Sequence, residues 1–480
     1  MKKKILIANR GEIAIRIIRA AQELGNTAVA LYETPDKEAR HVRVADEALW
    51  LGEGPRCDYL NIEKVIRAAR KTGADAIHPG YGFLAENPEF AKACEEAGLI
   101  FIGPTSEVIR NLGNKVIARQ IMKDAGIPMV PGTTSLAAGE EGAKQSLQFA
   151  AEHGYPVMLK ATAGGGGRGI RLIANDKQMK EQIPTARAEA KAAFNDDSVY
   201  LEKVVLTPKH VEVQIIADSD GKTVHLGTRD CSIQRRNQKL VEIAPSMIKD
   251  KDLLDRICTT AVKAAKAADY FNAGTVEFLV DKDMNFYFME INTRIQVEHT
   301  VTEMITGIDI VRTQIKLAFG KKLSFNQEDV QLRGHAIEMR INAEDPQNNF
   351  MPEGGKTVRV YQSPGGYGVR LDGFVYQGYT IPEVYDSLLV KLTVHGYSWN
   401  ETVDRMRRCL RNFVITGPKT TIPFYLNVVE DPDFKAGNFD TSYLDTHPHL
   451  MKYEEVRSEV DKLARLLAEI HHKKFNPYAI

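Results

Sequence analysis

The first third of the chain alternates short apolar runs with stretches of helical pattern. Ile5-Leu-Ile-Ala8 reads as a buried strand, Gly11 to Leu24 as a helix closed by Gly25, and Thr27-Ala-Val-Ala-Leu-Tyr32 as a second strand. A helix from Ile62 to Lys71 leads to the strand Ala76-Ile-His78. Strands separated by helices predict a parallel sheet covered on both faces over residues 1–114. The middle third opens with a helix from Lys115 to Ala125. It continues through a strand, Tyr155-Pro-Val-Met-Leu-Lys160, a second strand, Ile170-Arg-Leu-Ile173, a polar helix from Lys177 to Phe194, and the strand Val199-Tyr-Leu-Glu202. Past Gly334 come the strand His335 to Ile341, Gly- and Pro-rich β segments (Ser363 to Gly366, Gly373 to Gly378), a helix from Thr402 to Asn412, and an amphipathic tail from Tyr453 to His472. No internal repeat or low-complexity segment interrupts this order.

Two apolar runs, Gly274 to Val280 and Phe286 to Asn292, flank the polar break Lys282-Asp-Met-Asn285 and predict a hairpin with a four-residue loop. In that register Asp281 faces Phe286, Leu279 faces Phe288 and Glu277 faces Glu290, so both glutamates share one face. Like charges opposed in this way weaken a hairpin unless they splay into solvent. A hard divalent cation held between them reverses the penalty, and Asn292 adds an oxygen on the same face. If the chain stays extended past Asn292, Arg294, Gln296 and Glu298 fall on that face too. Arg235, Arg236 and Lys239 form a second basic group. So many charged groups in register point to function, because charge avoids burial unless paired or used.

A chain of 480 residues holds about three domains. Its 63 basic and 63 acidic residues balance, which excludes general affinity for nucleic acid or membranes. The five cysteines lack disulfide or metal spacing and fit a reducing cytosol, so a cytoplasmic location is expected. No apolar run is long enough to span a bilayer, and the apolar stretch after Met1 is too short for a signal peptide. The loop Gly164-Gly-Gly-Gly-Arg-Gly169 leaves its backbone N–H groups free to wrap oxygen anions, with Lys160 before it and Lys115 at a helix start as point charges. It is no Walker loop, since no Gly-Lys-Ser/Thr follows and a strand, not a helix, comes next. After the first strand Asn9-Arg-Gly-Glu12 stands where a dinucleotide fold would need Gly-x-Gly-x-x-Gly. Arg10, Glu12, Tyr81 and Glu86 then read as a substrate-facing edge, or as solvated loops.

Several segments taken together resemble biotin carboxylase, the ATP-grasp component of biotin-dependent carboxylases. They are His78-Pro-Gly-Tyr-Gly-Phe-Leu-Ala-Glu-Asn87, Ala161-Thr-Ala-Gly-Gly-Gly-Gly-Arg-Gly169, Arg229-Asp-Cys-Ser-Ile-Gln-Arg-Arg236, Glu290-Ile-Asn-Thr-Arg-Ile-Gln-Val-Glu-His299 and Val301-Thr-Glu-Met-Ile-Thr-Gly307. The resemblance runs over about residues 1–446. It implies an α/β and α+β chain: an N-terminal parallel-sheet domain (1–114), an ATP-grasp domain (115–330) with a glycine-rich lid at about 132–203, and a C-terminal β-rich domain (331–446). The tail, 447–480, reads as a packing helix or a contact for another protein chain.

The resemblance also implies roles. Lys115, Lys160, Gly166, Gly167 and His210 would bind ATP, with Glu202, Lys203, Val204 and Val205 passing the adenine. Glu277 and Glu290 would hold Mg²⁺ or Mn²⁺, with Asn292 nearby. Lys239, Arg294, Gln296 and Val297 would bind bicarbonate, Glu298 would deprotonate it, and Arg340, Tyr81 and Asp386 would meet biotin. Asn237 departs from the family, which has a histidine touching the nucleotide there. A biotin carrier carries lysine between methionines. No Met-Lys-Met occurs here, and the pairs Met122-Lys123, Met179-Lys180 and Met451-Lys452 lie in helical or tail contexts, so biotin is expected on a separate carrier and carboxyltransferase subunit. A homodimer is expected as well. The form of Glu298-His-Thr-Val301 and Tyr385-Asp-Ser-Leu-Leu-Val-Lys391 leans toward pyruvate or 2-oxoglutarate carboxylases over acetyl-CoA or propionyl-CoA carboxylases. Another ATP-grasp ligase would share Lys115, Lys160 and the glutamate pair but not the set Arg294, Glu298 and Arg340; a non-catalytic nucleotide-binding subunit would have lost a catalytic residue.

Overall fold

Five strands, β1 (Lys4–Ile7), β2 (Thr27–Glu33), β3 (Glu47–Gly52), β4 (Ala76–His78) and β5 (Ile100–Phe101), build a parallel sheet in the order β3-β2-β1-β4-β5. The computed structural model describes residues 2–54, 58–162, 170–194, 196–236 and 238–453. Gly166, Gly167, Asn237 and the tail from 454 onward therefore lie outside the described residues. Alternation along β1 sends Ile5 and Ile7 toward the helix Gly11–Glu23, where they meet Ile13, Ile17 and Ile18. Leu6 points to the other face and packs with Val65 and Ala69 of the helix Ile62–Thr72. Both faces are covered, as βαβ connections require. At the C-terminal end of this sheet Asn9 donates from Nδ2 to the carbonyls of Pro79 and Tyr81, both at 2.7 Å, and so fixes the loop bearing Tyr81. Gly80 there has φ +64°, and a Cβ would sit 2.9 Å from the Asn9 amide nitrogen. Only glycine suits that approach.

Strands β6 (Val157–Ala161), β7 (Ile170–Ile173) and β8 (Val199–Lys203) form a small antiparallel sheet in the order β7-β6-β8. It has its own core of Leu136, Phe149, Val157, Leu159, Ile173, Val199 and Leu201. The remaining large sheet has eight strands. They are β9 (Lys209–Ala217), β10 (Thr223–Arg235), β11 (Gln238–Ala244), β12 (Asn272–Val280), β13 (Phe286–Asn292), β14 (His335–Asn342), β15 (Val369–Gly373) and β16 (Leu388–Gly396). Their order is β13-β12-β9-β10-β11-β14-β16-β15. Because β11 pairs with β14, one sheet runs unbroken across the division near residue 331 that the sequence suggests. The Gly- and Pro-rich stretches 363–366 and 374–378 are connections, and pairing resumes only in the segments beside them. The helix expected from Thr402 starts at Trp399, because Ser398 caps it by accepting the Glu401 N–H. Among the described residues no helix is long and apolar enough to cross a membrane.

The β12–β13 hairpin departs from its expected register in an instructive way. Glu277 does pair with Glu290, but Leu279 pairs with Tyr287 and Phe278 with Phe288. Asp281 does not pair with Phe286; its carboxylate instead accepts the N–H groups of Asp283 and Asn285, closing a loop of residues 281–285. A bulge between Phe288 and Glu290 then restores the glutamate pair, and Met289 and Glu290 both open to solvent. On the opposite face Phe278 is fully buried, with ring centroids 5.7 Å from Phe286 and 6.4 Å from Phe288. Phe278→Ala should cost about 3–5 kcal/mol of stability. Denaturant unfolding reads this directly. A loss below about 1 kcal/mol would mean that this aromatic face does not hold the hairpin down.

Candidate active site

The floor of the site comes from period-two alternation on β9. His210, Glu212 and Gln214 share one face and are buried between apolar Val211, Val213 and Ile215. Glu212 lies across from Glu277 on β12 and from Arg229 on β10. The fully buried Arg229 guanidinium pairs with Glu212 and donates to Gln214 at 2.8 Å, Thr302 at 3.0 Å and Thr275 at 3.0 Å. A buried guanidinium with all these partners is a rigid post, since breaking any one of them leaves a desolvated donor.

Lys239 stands on that floor. Its Nζ reaches Glu212 Oε2 at 2.6 Å, Glu277 Oε1 at 2.9 Å and Glu298 Oε1 at 2.7 Å. Glu277 also meets His210 Nε2 at 2.9 Å and accepts from Asn292 at 2.8 Å and Gln296 at 3.0 Å. Burial alone would raise the Glu277 carboxyl, but Lys239 and His210 hold it well below the usual range. The Glu298 carboxyl is likewise pulled down, against burial, by Lys239, Arg340 and Arg229. Lys239 is pushed up by its three carboxylates despite burial. Glu290 behaves differently. Its side chain is exposed, but the protein packed around its carboxyl together with Glu277 and Glu86 raises it, with Lys115 pulling the other way.

The segment after β13 does not run on as a strand. It bends at residues 293–294 and turns at 297–298, and Glu298 sits with φ −80° and ψ 10° just before the helix His299–Thr306. The turn is pinned by His299 Nδ1, which lies 2.8 Å from the Gln296 carbonyl. The expected single face is therefore absent, yet the side chains still converge. Arg294 donates to Glu86 at 2.9 Å, to Asn292 Oδ1 at 3.1 Å and to Gln296 Oε1 at 3.1 Å. Arg340 lies 3.1 Å from Glu298 Oε2. Folding back brings Glu298 over Lys239, where an extended strand would carry it away.

At the rim, Tyr81 donates its hydroxyl to Glu12. The fully buried Lys391 lies 3.2 Å from Glu12 Oε2 and donates to the Val297 carbonyl at 2.8 Å. Burial and Glu12 raise the Tyr81 hydroxyl; Asp386, exposed nearby, adds to this, and Arg340 opposes it. In the small sheet, Lys160 on β6 pairs with Glu202 on β8, which also accepts from Arg119 at 2.5 Å. The rest of that strand end, Lys203, Val204 and Val205, is partly buried, and Lys203 donates to the Gly154 carbonyl at 3.0 Å. Lys115 is half-buried at the start of the helix Lys115–Asp124, which Asn114 caps.

Glu212, Arg229, Glu242 and Glu338 belong to this constellation, but the sequence pattern does not pick them out. The alternation His210-Val-Glu-Val-Gln214 is a readable signal of a strand with one polar buried face. For a divalent cation the fitting donors are Glu277, Glu290 and Asn292. Two carboxylates opposed across a hairpin, one of them raised by the other, form an all-oxygen set that a hard cation relieves.

Three family descriptions match the chain almost throughout: "Biotin carboxylase, N-terminal domain" over residues 1–109, "Carbamoyl-phosphate synthase L chain, ATP binding domain" over 114–326, and "Biotin carboxylase C-terminal domain" over 338–446. The 2-oxoglutarate carboxylase small subunit of Hydrogenobacter thermophilus is 50% identical over 470 residues, covering 98% of this chain and 99% of that protein. One subunit of the pyruvate carboxylase of Methanothermobacter thermautotrophicus is 48% identical over 448 residues, covering 93% of this chain and 90% of its own length. Among solved structures, the biotin carboxylase domain dimer of the Hydrogenobacter thermophilus 2-oxoglutarate carboxylase, in complex with MgADP, ADP and bicarbonate, matches with a TM-score of 0.89 at 50% identity. The match covers 95% of this chain and all of that one.

Proposed function

The chain belongs to the biotin carboxylase family of ATP-dependent ligases, and we propose that it carboxylates biotin borne on a partner protein, using ATP and bicarbonate. One observation carries this reading. The buried Glu298 touches both Lys239 and Arg340; Lys239 also meets Glu277, which pairs with Glu290 across the hairpin and accepts from Gln296, and Gln296 in turn accepts from Arg294. Bicarbonate would be held by Lys239, Arg294, Gln296 and the backbone of Val297. On arrival it competes for the Lys239 ammonium, which frees the Glu298 carboxylate to take its proton. The resulting carbonate oxygen attacks the γ-phosphorus of ATP. The bond to the β-phosphate oxygen breaks, giving ADP and carboxyphosphate. Lys115 and Lys160 offset charge on the phosphoryl oxygens, while His210 and the segment Glu202 to Val205 face the nucleotide. Glu277, Glu290 and Asn292 would hold a divalent cation, which would neutralise more of that charge. Carboxyphosphate then splits at its C–O bond into CO₂ and phosphate. The phosphate takes the N1 proton of biotin, and N1 attacks CO₂ while Arg340 faces the ureido oxygen, with Tyr81 and Asp386 at the rim. Exclusion of water matters because carboxyphosphate hydrolyses.

The same reading extends to partners. A carrier and carboxyltransferase subunit supplies biotin, the chain pairs as a homodimer, and the final acceptor is a 2-oxo acid, supported by relatives named as subunits of 2-oxoglutarate and pyruvate carboxylases. Phosphate release with each component omitted in turn tests the half-reaction. Release should require Mg²⁺ and bicarbonate and rise with free biotin. Release indifferent to bicarbonate would point instead to another ATP-grasp ligase.

A further inference from the structure

Arg340 is held between two carboxylates. Its Nη2 lies 3.1 Å from Glu298 Oε2 and 2.5 Å from Glu242 Oε1, and both glutamates are fully buried. Glu242 projects from β11, directly across from Glu338 on β14 and one side-chain period from Arg340. Neither Glu242 oxygen has a hydrogen-bonding partner among the described residues, and its contact with Arg340 is an ion pair. A buried carboxylate with so few partners is costly, so its single close ion contact is the feature that accounts for it.

The reaction itself gives that second carboxylate a task. When Glu298 takes the proton of bicarbonate it becomes neutral and stops balancing Arg340. At that same stage the guanidinium must stay in place to meet the ureido oxygen of biotin. With Glu298 as its only partner, Arg340 would lose its anchor at the step that uses it. We propose that Glu242 is a positioning residue that keeps Arg340 charge-paired and oriented toward biotin while Glu298 carries the bicarbonate proton. The inference rests on the roles of Glu298 and Arg340 given above.

The electrostatics run in the same direction. Burial raises the Glu242 carboxyl to about 7; Arg340 opposes the rise, Glu298 adds to it, and Lys239 on the same strand opposes it. Cys231 on β10, Glu338 on β14 and Tyr425 on the helix Ile422–Glu430 are the other titratable groups facing it. Once Glu298 is protonated its repulsion is gone, and Glu242 holds its charge more firmly.

Glu242→Gln tests this in the full chain, with phosphate release as readout and free biotin as probe. The variant should raise KM for biotin by about tenfold or more and lower the biotin-stimulated kcat, with KM for ATP and for bicarbonate within about twofold. Glu242→Asp keeps the charge but withdraws it by one methylene, and should show the same split at smaller size. It also serves as the test if the glutamine variant fails to fold. An unchanged KM for biotin, or a parallel rise in all three KM values, overturns the inference while leaving the proposed function standing. Absence of bicarbonate-dependent phosphate release in the unmodified protein overturns the proposed function, and this inference with it.

Discussion

Glutamine in place of Glu298 is expected to lower bicarbonate-dependent ATP turnover by about 10²–10⁴-fold while MgATP still binds. The substitution keeps shape and hydrogen-bonding capacity but removes the proton acceptor. Glu298 is fully buried and clasped by Lys239 at 2.7 Å and Arg340 at 3.1 Å, so the resting site strongly favours its charged form. A carboxylate stabilised so well is a weak base until Lys239 turns part of its charge toward bicarbonate, which couples basicity to substrate arrival. Glu290→Gln provides the contrast. It leaves the base intact but removes one of the opposed carboxylates from the cation's oxygen set, so MgATP binding itself should weaken. Calorimetry of MgATP binding beside turnover distinguishes the two. Near-normal turnover in Glu298→Gln would make Glu298 a structural anion, and unchanged MgATP binding in Glu290→Gln would remove the metal role from the hairpin.

The hairpin shows how sequence reasoning reaches a right pairing by an inexact route. A four-residue loop and a regular ladder would bring Glu277 to Glu290; so do a five-residue loop, closed by Asp281, and one bulge. The two departures cancel at the glutamates and not at Leu279, whose partner shifts from Phe288 to Tyr287. Side-chain hydrogen bonding by Asp281 competes with the ladder, a local contest that apolar pattern does not record. Strands β1, β2 and β4 of the first sheet are legible because each is a continuous apolar run between helical stretches, whereas the largely exposed β3 and the two-residue β5 leave no such run. Asn292 to His299 misleads because polar residues at every second position mimic a strand, whereas the chain folds back to set Glu298 ahead of a helix. Glu212 and Arg229 stay hidden for a different reason: their function is to face other charged groups, and partners 17 positions apart become neighbours only when β9 and β10 pair.

Removal of the Lys239 ammonium should be the most damaging single change to the site. Lys239→Met leaves Glu212, Glu277 and Glu298 facing one another in a buried pocket with the bridging cation gone. Breaking a buried ion cluster by deleting one partner costs about 3–5 kcal/mol, and turnover should fall by orders of magnitude with it. The pH dependence follows from the shifts. Glu277 and Glu298 are held below their ordinary value of 4.5, so their contribution to stability is present above that value and is lost as pH falls toward their depressed folded values. Lys239 is raised above its ordinary 10.5, so its contribution is present below that value and is lost as pH climbs through the raised one. In the methionine variant the carboxyls move up, and taking up protons then stabilises the fold. The stability gap between the two proteins should therefore be widest near neutrality and narrow as pH drops to about 4. Denaturant unfolding of both at neutral and acid pH measures it. A gap that stays constant with pH would mean that Lys239 supports the fold by packing its alkyl chain, not by balancing the carboxylates.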